Sequence, residues 1–231
     1  MTSEQDPRSG LPVGLAVDAT PAQWPGPVML QGRYGRVEPL ALHHTDALWR
    51  AVQGHEDLWP YVAAGPFADA AAFSDWIKVR IDAKDSVSYA IVDASGSPVG
   101  VAALMEIRPA MRVIEVGSIV YAPALQRTPF GTEAQYLLAR YAFETLGNRR
   151  YEWKCNALNA PSRRAALRYG FAYEGILRAH MVIKGRNRDT AYFSMLESEW
   201  PARKAAFEKW LAPENFDASG MQKRRLEEMR T

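Results

Sequence analysis

Apolar positions along the chain follow two spacings, and the changes between them mark out the predicted elements. Tyr34–Leu40 reads as a short first strand. His43–Val52 reads as a helix, with Leu42, Leu48 and Trp49 available for packing. A Trp/Pro/Gly-rich connection follows from Leu58 to Phe67. Asp69 is placed to cap a helix running to about Ala83 that buries Phe73, Trp76, Ile77 and Ile81. Ser86–Asp93, Val99–Ile107 and Val113–Tyr121 read as three strands in a row, joined by Ala94–Pro98 and Arg108–Arg112. Connections that short imply antiparallel neighbours.

Strands then alternate with helices. Thr132–Leu146 carries Leu137, Leu138, Tyr141 and Ala142 at helical spacing, with Gly147 as a stop. Arg150–Cys155 predicts a strand and Asn159–Tyr169 a helix closed by Gly170. Phe171–Ile183 and Thr190–Glu197 predict a hairpin turning near Lys184–Gly185, and Trp200–Leu211 a final amphipathic helix. This order is that of an α/β (α+β) layer architecture with a mixed sheet.

No internal repeat or long linker interrupts the pattern. A single domain is expected over residues 31–216, after a flexible segment 1–30 and before a tail 217–231. Of the 231 residues, 48% are hydrophobic and 23% charged, which excludes collagen-like, low-complexity and wholly disordered classes. A chain of this size buries roughly 70% of its unfolded surface, so disulfides and structural metal are not needed. The single Cys makes no internal bridge, no Cys/His spacing suits zinc, and a reduced, cytoplasmic compartment is the simplest reading. Met1–Pro27 lacks the basic start and apolar run of a signal peptide. No apolar run reaches 18 residues, so no membrane partner is expected. The 28 Lys+Arg against 26 Asp+Glu give a net charge of +2, which offers no reason for nucleic-acid binding. Lys223, Arg224, Arg225 and Arg230, mixed with Glu227 and Glu228, read as a solvated terminal helix.

The segment Tyr121-Ala-Pro-Ala-Leu-Gln-Arg-Thr-Pro-Phe-Gly-Thr132 joins a strand end to a helix start. Amides at a helix N-terminus bind phosphate oxygens, and Arg127 can pair with a second phosphate. An ordinary loop capped by Thr128 or Thr132 is the alternative. Neither GxGxxG nor GxxxxGK[ST] occurs, so Rossmann and P-loop readings lack their residues.

Together with Asn159-Ala-Pro-Ser-Arg-Arg-Ala-Ala-Leu-Arg-Tyr-Gly-Phe171, this segment resembles the GNAT acetyltransferases. Within them it is similar to the group containing the ribosomal-protein N-acetyltransferases RimJ and RimL. The supporting text is Ile114-Glu-Val-Gly-Ser-Ile-Val-Tyr121, Thr132-Glu-Ala134, Asn159-Ala-Pro-Ser162, Tyr173-Glu-Gly-Ile-Leu-Arg178 and Gly185-Arg-Asn-Arg-Asp189. The likeness runs from about Gly35 to Trp200. It implies a central mixed, mostly antiparallel twisted sheet flanked by helices on both faces, with acetyl-CoA as co-substrate and no metal. It further implies direct acetyl transfer to a primary amine in a ternary complex.

By the same resemblance, acetyl-CoA is expected to contact Val120, Tyr121, Gln126, Arg127, Thr128, Phe130, Gly131, Thr132, Asn159 and Ser162. Two departures stand out. Pro129 occupies the place of the phosphate loop's first Gly and removes an N–H donor, for which the Thr128 and Thr132 hydroxyls and Arg127 compensate. The late-helix Tyr that many members use toward the thiolate is Ala166 here; Tyr169 sits beside the helix stop, so Ser162 is expected in that role.

The implied chemistry needs a neutral amine, donors for an oxyanion and a proton for the thiolate. The family supplies oxyanion donors from a bulged strand, here at Val120 and Tyr121. Glu115, through water, is the expected base, with an ion-paired strand carboxylate as the alternative. His180 is the second candidate, its ordinary pKa being near neutrality, against a structural hydrogen-bonding role. Trp59, Tyr61, Phe67, Tyr121 and Tyr192 either line the acceptor opening or pack in the core. Arg186, Arg188 and Asp189 either contact ligand or form a local ion pair. His43, His44 and His55 look like surface residues, and Cys155 a buried strand residue. The acceptor is a protein or peptide N-terminus or a small-molecule amine, and the assembly a monomer or homodimer. A catalytically silent, GNAT-like acyl-CoA-binding sensor or interaction module is the alternative function.

Overall fold

A computed structural model of the chain describes residues 3–230. Its strands are β1 (Ser3–Gln5), β2 (Pro12–Gly14), β3 (Leu30–Gln31), β4 (Gly35–Pro39), β5 (Val87–Asp93), β6 (Pro98–Arg108), β7 (Val113–Tyr121), β8 (Arg150–Asn156), β9 (Ala172–Ile183) and β10 (Arg186–Leu196). Its α-helices are α1 (Thr45–Val52), α2 (Ala70–Asp82), α3 (Pro129–Arg140), α4 (Ala160–Tyr169) and α5 (Trp200–Leu211).

β3 to β10 form one eight-stranded sheet in the order β3-β4-β5-β6-β7-β8-β10-β9. Every neighbouring pair is antiparallel except β7 and β8, which run parallel because α3 crosses between them. Alternation along β5 assigns its residues to two cores. Tyr89 and Ile91 face the larger core, which includes α3 and α5 residues, whereas Ala90 and Val92 pack with Leu48, Phe73 and Ile77 of α1 and α2. Helices therefore cover both faces.

Local chemistry sets the helix ends. Asp69 Oδ1 accepts the Ala72 amide at 2.9 Å, the cap expected for α2. Asn159 Oδ1 accepts the Ser162 amide at 3.1 Å, and Gly170 closes α4 at φ 98°, a conformation that suits glycine. The helix expected to start at Thr132 begins earlier, with Thr128 as its N-cap. It continues past α3 as a π-helical turn, Tyr141–Thr145.

Both chain ends make contacts with the domain. Asp18 meets Arg112 through its carbonyl and carboxylate, the Ala22 amide donates to Pro109 O, and Gly26 is held between the Tyr141 and Tyr89 hydroxyls. The solvated helix expected in the tail is a short 3-10 turn, Leu226–Met229. Leu226 joins the larger core and Arg230 donates to Leu167 O, which draws the turn inward. Among the described residues, no helix is long and apolar enough to cross a membrane.

Candidate active site

The site is organised by two interruptions in strand pairing. β7 and β8 pair only through Val113–Arg150, Ile114–Tyr151 and Glu115–Glu152, so the edge of β7 from Val116 to Tyr121 lies open. On the other side of β7, Ser118 and Ile119 stand opposite the single residue Ala102 of β6, a β-bulge with Ser118 at φ 50°. The bulge reverses the alternation. Val120 joins the core beneath α1 and α2, and the Tyr121 side chain packs toward α3.

Tyr121 therefore does not line an acceptor opening. Its hydroxyl donates to Gly131 O at 2.9 Å and accepts Gln135 Nε2 at 2.8 Å, and burial raises its pKa well above the ordinary value. Its backbone is placed differently. Ala122 N donates to Val99 O, and the ladder pairs Tyr121 with Gly100. Alternation along an antiparallel ladder then points the Tyr121 amide away from β6, into the opening. The Tyr121 carbonyl lies on the same side, where Gln126 Nε2 donates to it at 2.9 Å.

In the loop to α3, one threonine hydroxyl is used locally and the other meets α4. Thr128 Oγ1 accepts the Gly131 amide at 3.1 Å and donates to Leu125 O at 2.7 Å, while Thr132 Oγ1 accepts Arg168 Nη1 at 2.9 Å. The Thr128 hydroxyl is thus committed to the cap and the turn before it. Pro129 costs the helix no hydrogen bond, because it stands at the first helical position, but it removes one of the free amides there. Among the described residues, the amides of Arg127 and Phe130 have no backbone partner, and Arg127 is exposed at φ 61°. The Phe130 side chain is buried in the core. These amides and the guanidinium suit a diphosphate.

On the far side of the opening, Ser162 Oγ accepts Trp153 Nε1–H at 3.0 Å, so its own O–H serves as a donor, with the Cys155 sulfur within reach. Cys155, buried as expected, lies beside it; burial raises the thiol's pKa and Ser162 opposes that shift. Ala166 and Tyr169 are buried in the larger core.

Glu115, only 5% exposed, meets Lys154 Nζ at 2.7 Å, and the same ammonium lies 3.2 Å from Glu152. The ion-paired alternative is thus the geometry found. Burial raises the Glu115 carboxyl above the ordinary glutamate value, against the pull of Lys154. For Lys154, burial works against the charge, yet the two carboxylates prevail and its pKa is raised. Lys154 also lies 5.0 Å over the Tyr192 ring, and the His180 ring is 6.0 Å from Tyr192. The structure therefore brings Glu115 and Tyr192 to Lys154, which sequence reasoning missed, and sets His180 beside Tyr192. Its alternation with Glu152 along β8 signals that pair, but Glu115 is reached only through the parallel contact. His180 is exposed, with Nδ1 3.0 Å from Thr190 Oγ1.

The other aromatic candidates divide. Trp59, 3% exposed, and Phe67 join Phe73 and Trp76 in an aromatic cluster under α2, so they serve the core rather than an opening. Tyr61 is exposed. Lys184, at the β9–β10 turn, donates to both Trp59 O and Ala64 O at 2.9 Å and so ties the hairpin to that connection. Asp189 forms no ion pair with Arg186 or Arg188 and instead accepts the Ala179 amide and Asn187 Nδ2.

His44 is a further correction. It is 4% exposed, with Nδ1 accepting the Ala41 amide and Nε2 donating to Glu38, and burial lowers its pKa. Glu38, His43 and His44 bring ligand-type atoms within 4.8 Å of one another, but His44 already uses both nitrogens and Arg36 pairs with Glu38.

A sheet that parts between two parallel strands, with a bulge beside the gap and a helix N-terminus at its mouth, brings a free strand amide and free helix-terminal amides to one opening. The chain belongs to the GNAT acetyltransferase family: the Acetyltransferase (GNAT) domain matches residues 36–172. Among solved structures it is similar to a GCN5-related N-acetyltransferase from Brucella melitensis, with 49% identity and a TM-score of 0.90, over 92% of this chain and 98% of that one. A Chromobacterium violaceum protein described as a GNAT-family acetyltransferase is 37% identical, with a TM-score of 0.78, over 85% and 100% of the two chains. A Vibrio cholerae protein described as a ribosomal-protein-serine acetyltransferase shares the fold at 18% identity and a TM-score of 0.63, over 73% and 97%. No protein of curated function matches the chain.

Proposed function

We propose that the enzyme transfers the acetyl group of acetyl-CoA to a primary amine by direct attack, both substrates meeting where β7 and β8 part. The observation that carries this reading is the Tyr121 amide, turned into that opening from a bulged strand. Trp153 and Lys154 are consecutive on β8 and face opposite sides, so Ser162 lies toward one face and Glu115 toward the other. Acetyl donor and acceptor amine accordingly approach from opposite faces.

In this reading Arg127 and the amides of Arg127 and Phe130 hold the diphosphate of acetyl-CoA. Glu115 takes the acceptor's proton through water, helped by a carboxyl pKa raised by burial. The neutral nitrogen attacks the acetyl carbonyl, the Tyr121 N–H receives the developing oxyanion, and Ser162 donates to the departing thiolate. His180, exposed on the edge strand, is the weaker choice of base. The Rim-type segments and the shared fold of the Vibrio cholerae protein favour an N-terminal peptide amine, with small-molecule amines as the other class.

Initial rates of thiol release, with acetyl-CoA and amine varied together, test the reading. Intersecting double-reciprocal lines are expected for attack within a ternary complex. Parallel lines would mark a covalent acetyl-enzyme and overturn direct attack.

A further inference from the structure

Arg80 stands in the last turn of α2 with its guanidinium largely buried. Its Nη2 lies 3.5 Å from Ser118 O, the carbonyl of the β7 bulge, and its plane covers the Trp76 ring at 4.9 Å. Nε is buried without a partner. Among the described residues no carboxylate lies within 4.0 Å of it, although Lys154, Arg112 and Arg150 each have two. Burial alone lowers its pKa to about 10, with no acid contributing, so the group stays charged at neutral pH.

A buried charge without a counter-ion is costly. Arg80 also borders a cleft of about 320 Å³, lined further by Pro25, Pro39, Ser86 and Ser88. That volume falls in the range that accepts small ligands. Arg80 thus lines a cleft open to solvent, while its Nη2 reaches the bulge beside which acetyl transfer is placed.

We propose that Arg80 receives a carboxylate carried by the acceptor, so that the enzyme selects amines bearing a nearby carboxylate. The proposal rests on the acetyl-transfer reading for its location but not for the binding itself. A planar guanidinium with unused N–H groups is suited to two-point recognition of a carboxylate, whereas an amide or ester offers no charge. The carboxylate has two sources, the free C-terminus of an amino acid or short peptide and an acidic side chain next to a peptide's N-terminus.

The test compares thiol release with dipeptides as free acids and as C-terminal amides. A second arm uses amidated peptides carrying Asp or Asn at the second position. In one arm or the other, the wild-type kcat/KM for the acid member is expected to exceed its neutral match about 10- to 100-fold. In Arg80→Gln that ratio falls to near one, and Arg80→Lys restores part of it; melting temperatures confirm that both variants fold. A ratio near one for the wild type in both arms overturns the proposal, as does an unchanged ratio in Arg80→Gln.

Calorimetry with N-acetyl dipeptide acids and their amides reads the same preference without turnover. Arg80-dependent preference for the acid, with no amine turned over, would uphold the carboxylate site while removing acetyl transfer as its setting. Equal binding of acid and amide would overturn the site.

Discussion

Replacing Ser162 with Ala removes one hydroxyl and spares the helix cap, because Asn159 bonds the Ser162 amide and not its side chain. The lost group is an oxygen already holding Trp153 Nε1–H at 3.0 Å, with its own proton available for the leaving thiolate. A hydrogen bond to a charged group contributes about 1.5–3 kcal/mol. At about 1.4 kcal/mol per decade, Ser162→Ala should lower kcat by about 10- to 150-fold. The KM for acetyl-CoA should stay within about twofold, since the thiolate develops only on the way to product. Stability is a separate readout: the stranded indole N–H costs about 1–3 kcal/mol, seen as a lower urea midpoint. Trp153→Phe keeps the hydroxyl but loses the donor that orients it, so its kcat should fall less than that of Ser162→Ala. The assay is steady-state thiol release across neutral and alkaline pH. A Ser162→Ala enzyme with kcat within about twofold of wild type throughout would refute the assignment.

Other outcomes follow from the same geometry. If Glu115 is the base, kcat/KM rises with pH through an apparent pKa above the ordinary 4.5, and Glu115→Gln removes that limb, leaving only the acceptor's own titration; identical profiles would exclude it. Thr128→Ala deletes the cap of α3 and should cost about 1 kcal/mol of stability with weaker acetyl-CoA binding by calorimetry. Arg150 holds the Glu174 carboxyl below its ordinary value; Glu152 is also held low, burial being outweighed by Arg150 and Lys154. Their stabilising contribution is therefore complete above the ordinary 4.5 and lost as pH falls through the lower folded values. Urea unfolding at descending pH should show a shallower acid loss for Arg150→Met than for wild type.

Where periodicity is bounded by punctuation, the elements could be read from residues alone. Val113–Tyr121 and Trp200–Leu211 appear with the predicted limits, and Asp69, Asn159, Gly147 and Gly170 act as the stops and caps their chemistry suggests. β10 begins at Arg186 rather than Thr190 because a run of charged residues reads as turn, although an edge hairpin accommodates it in solvent. Tyr121 was misdirected by a single inserted residue: the bulge at Ser118–Ile119 shifts the strand's alternation, which a regular strand pattern does not encode. Lys154 and Arg80 stayed hidden for another reason. Their significance lies in what surrounds them, two carboxylates in one case and none in the other, and that depends on strands and helices brought together by crossovers.

In the proposed reaction the opening between β7 and β8 moves an acetyl group onto an amine nitrogen. Mass spectrometry of an amine and peptide panel incubated with acetyl-CoA and the enzyme tests it most directly. An N-acetylated amine should accumulate in step with free CoA, while the protein itself gains no acetyl group. Acetyl-CoA bound by the enzyme, with every amine unmodified in the panel and in protein acceptors, would contradict it.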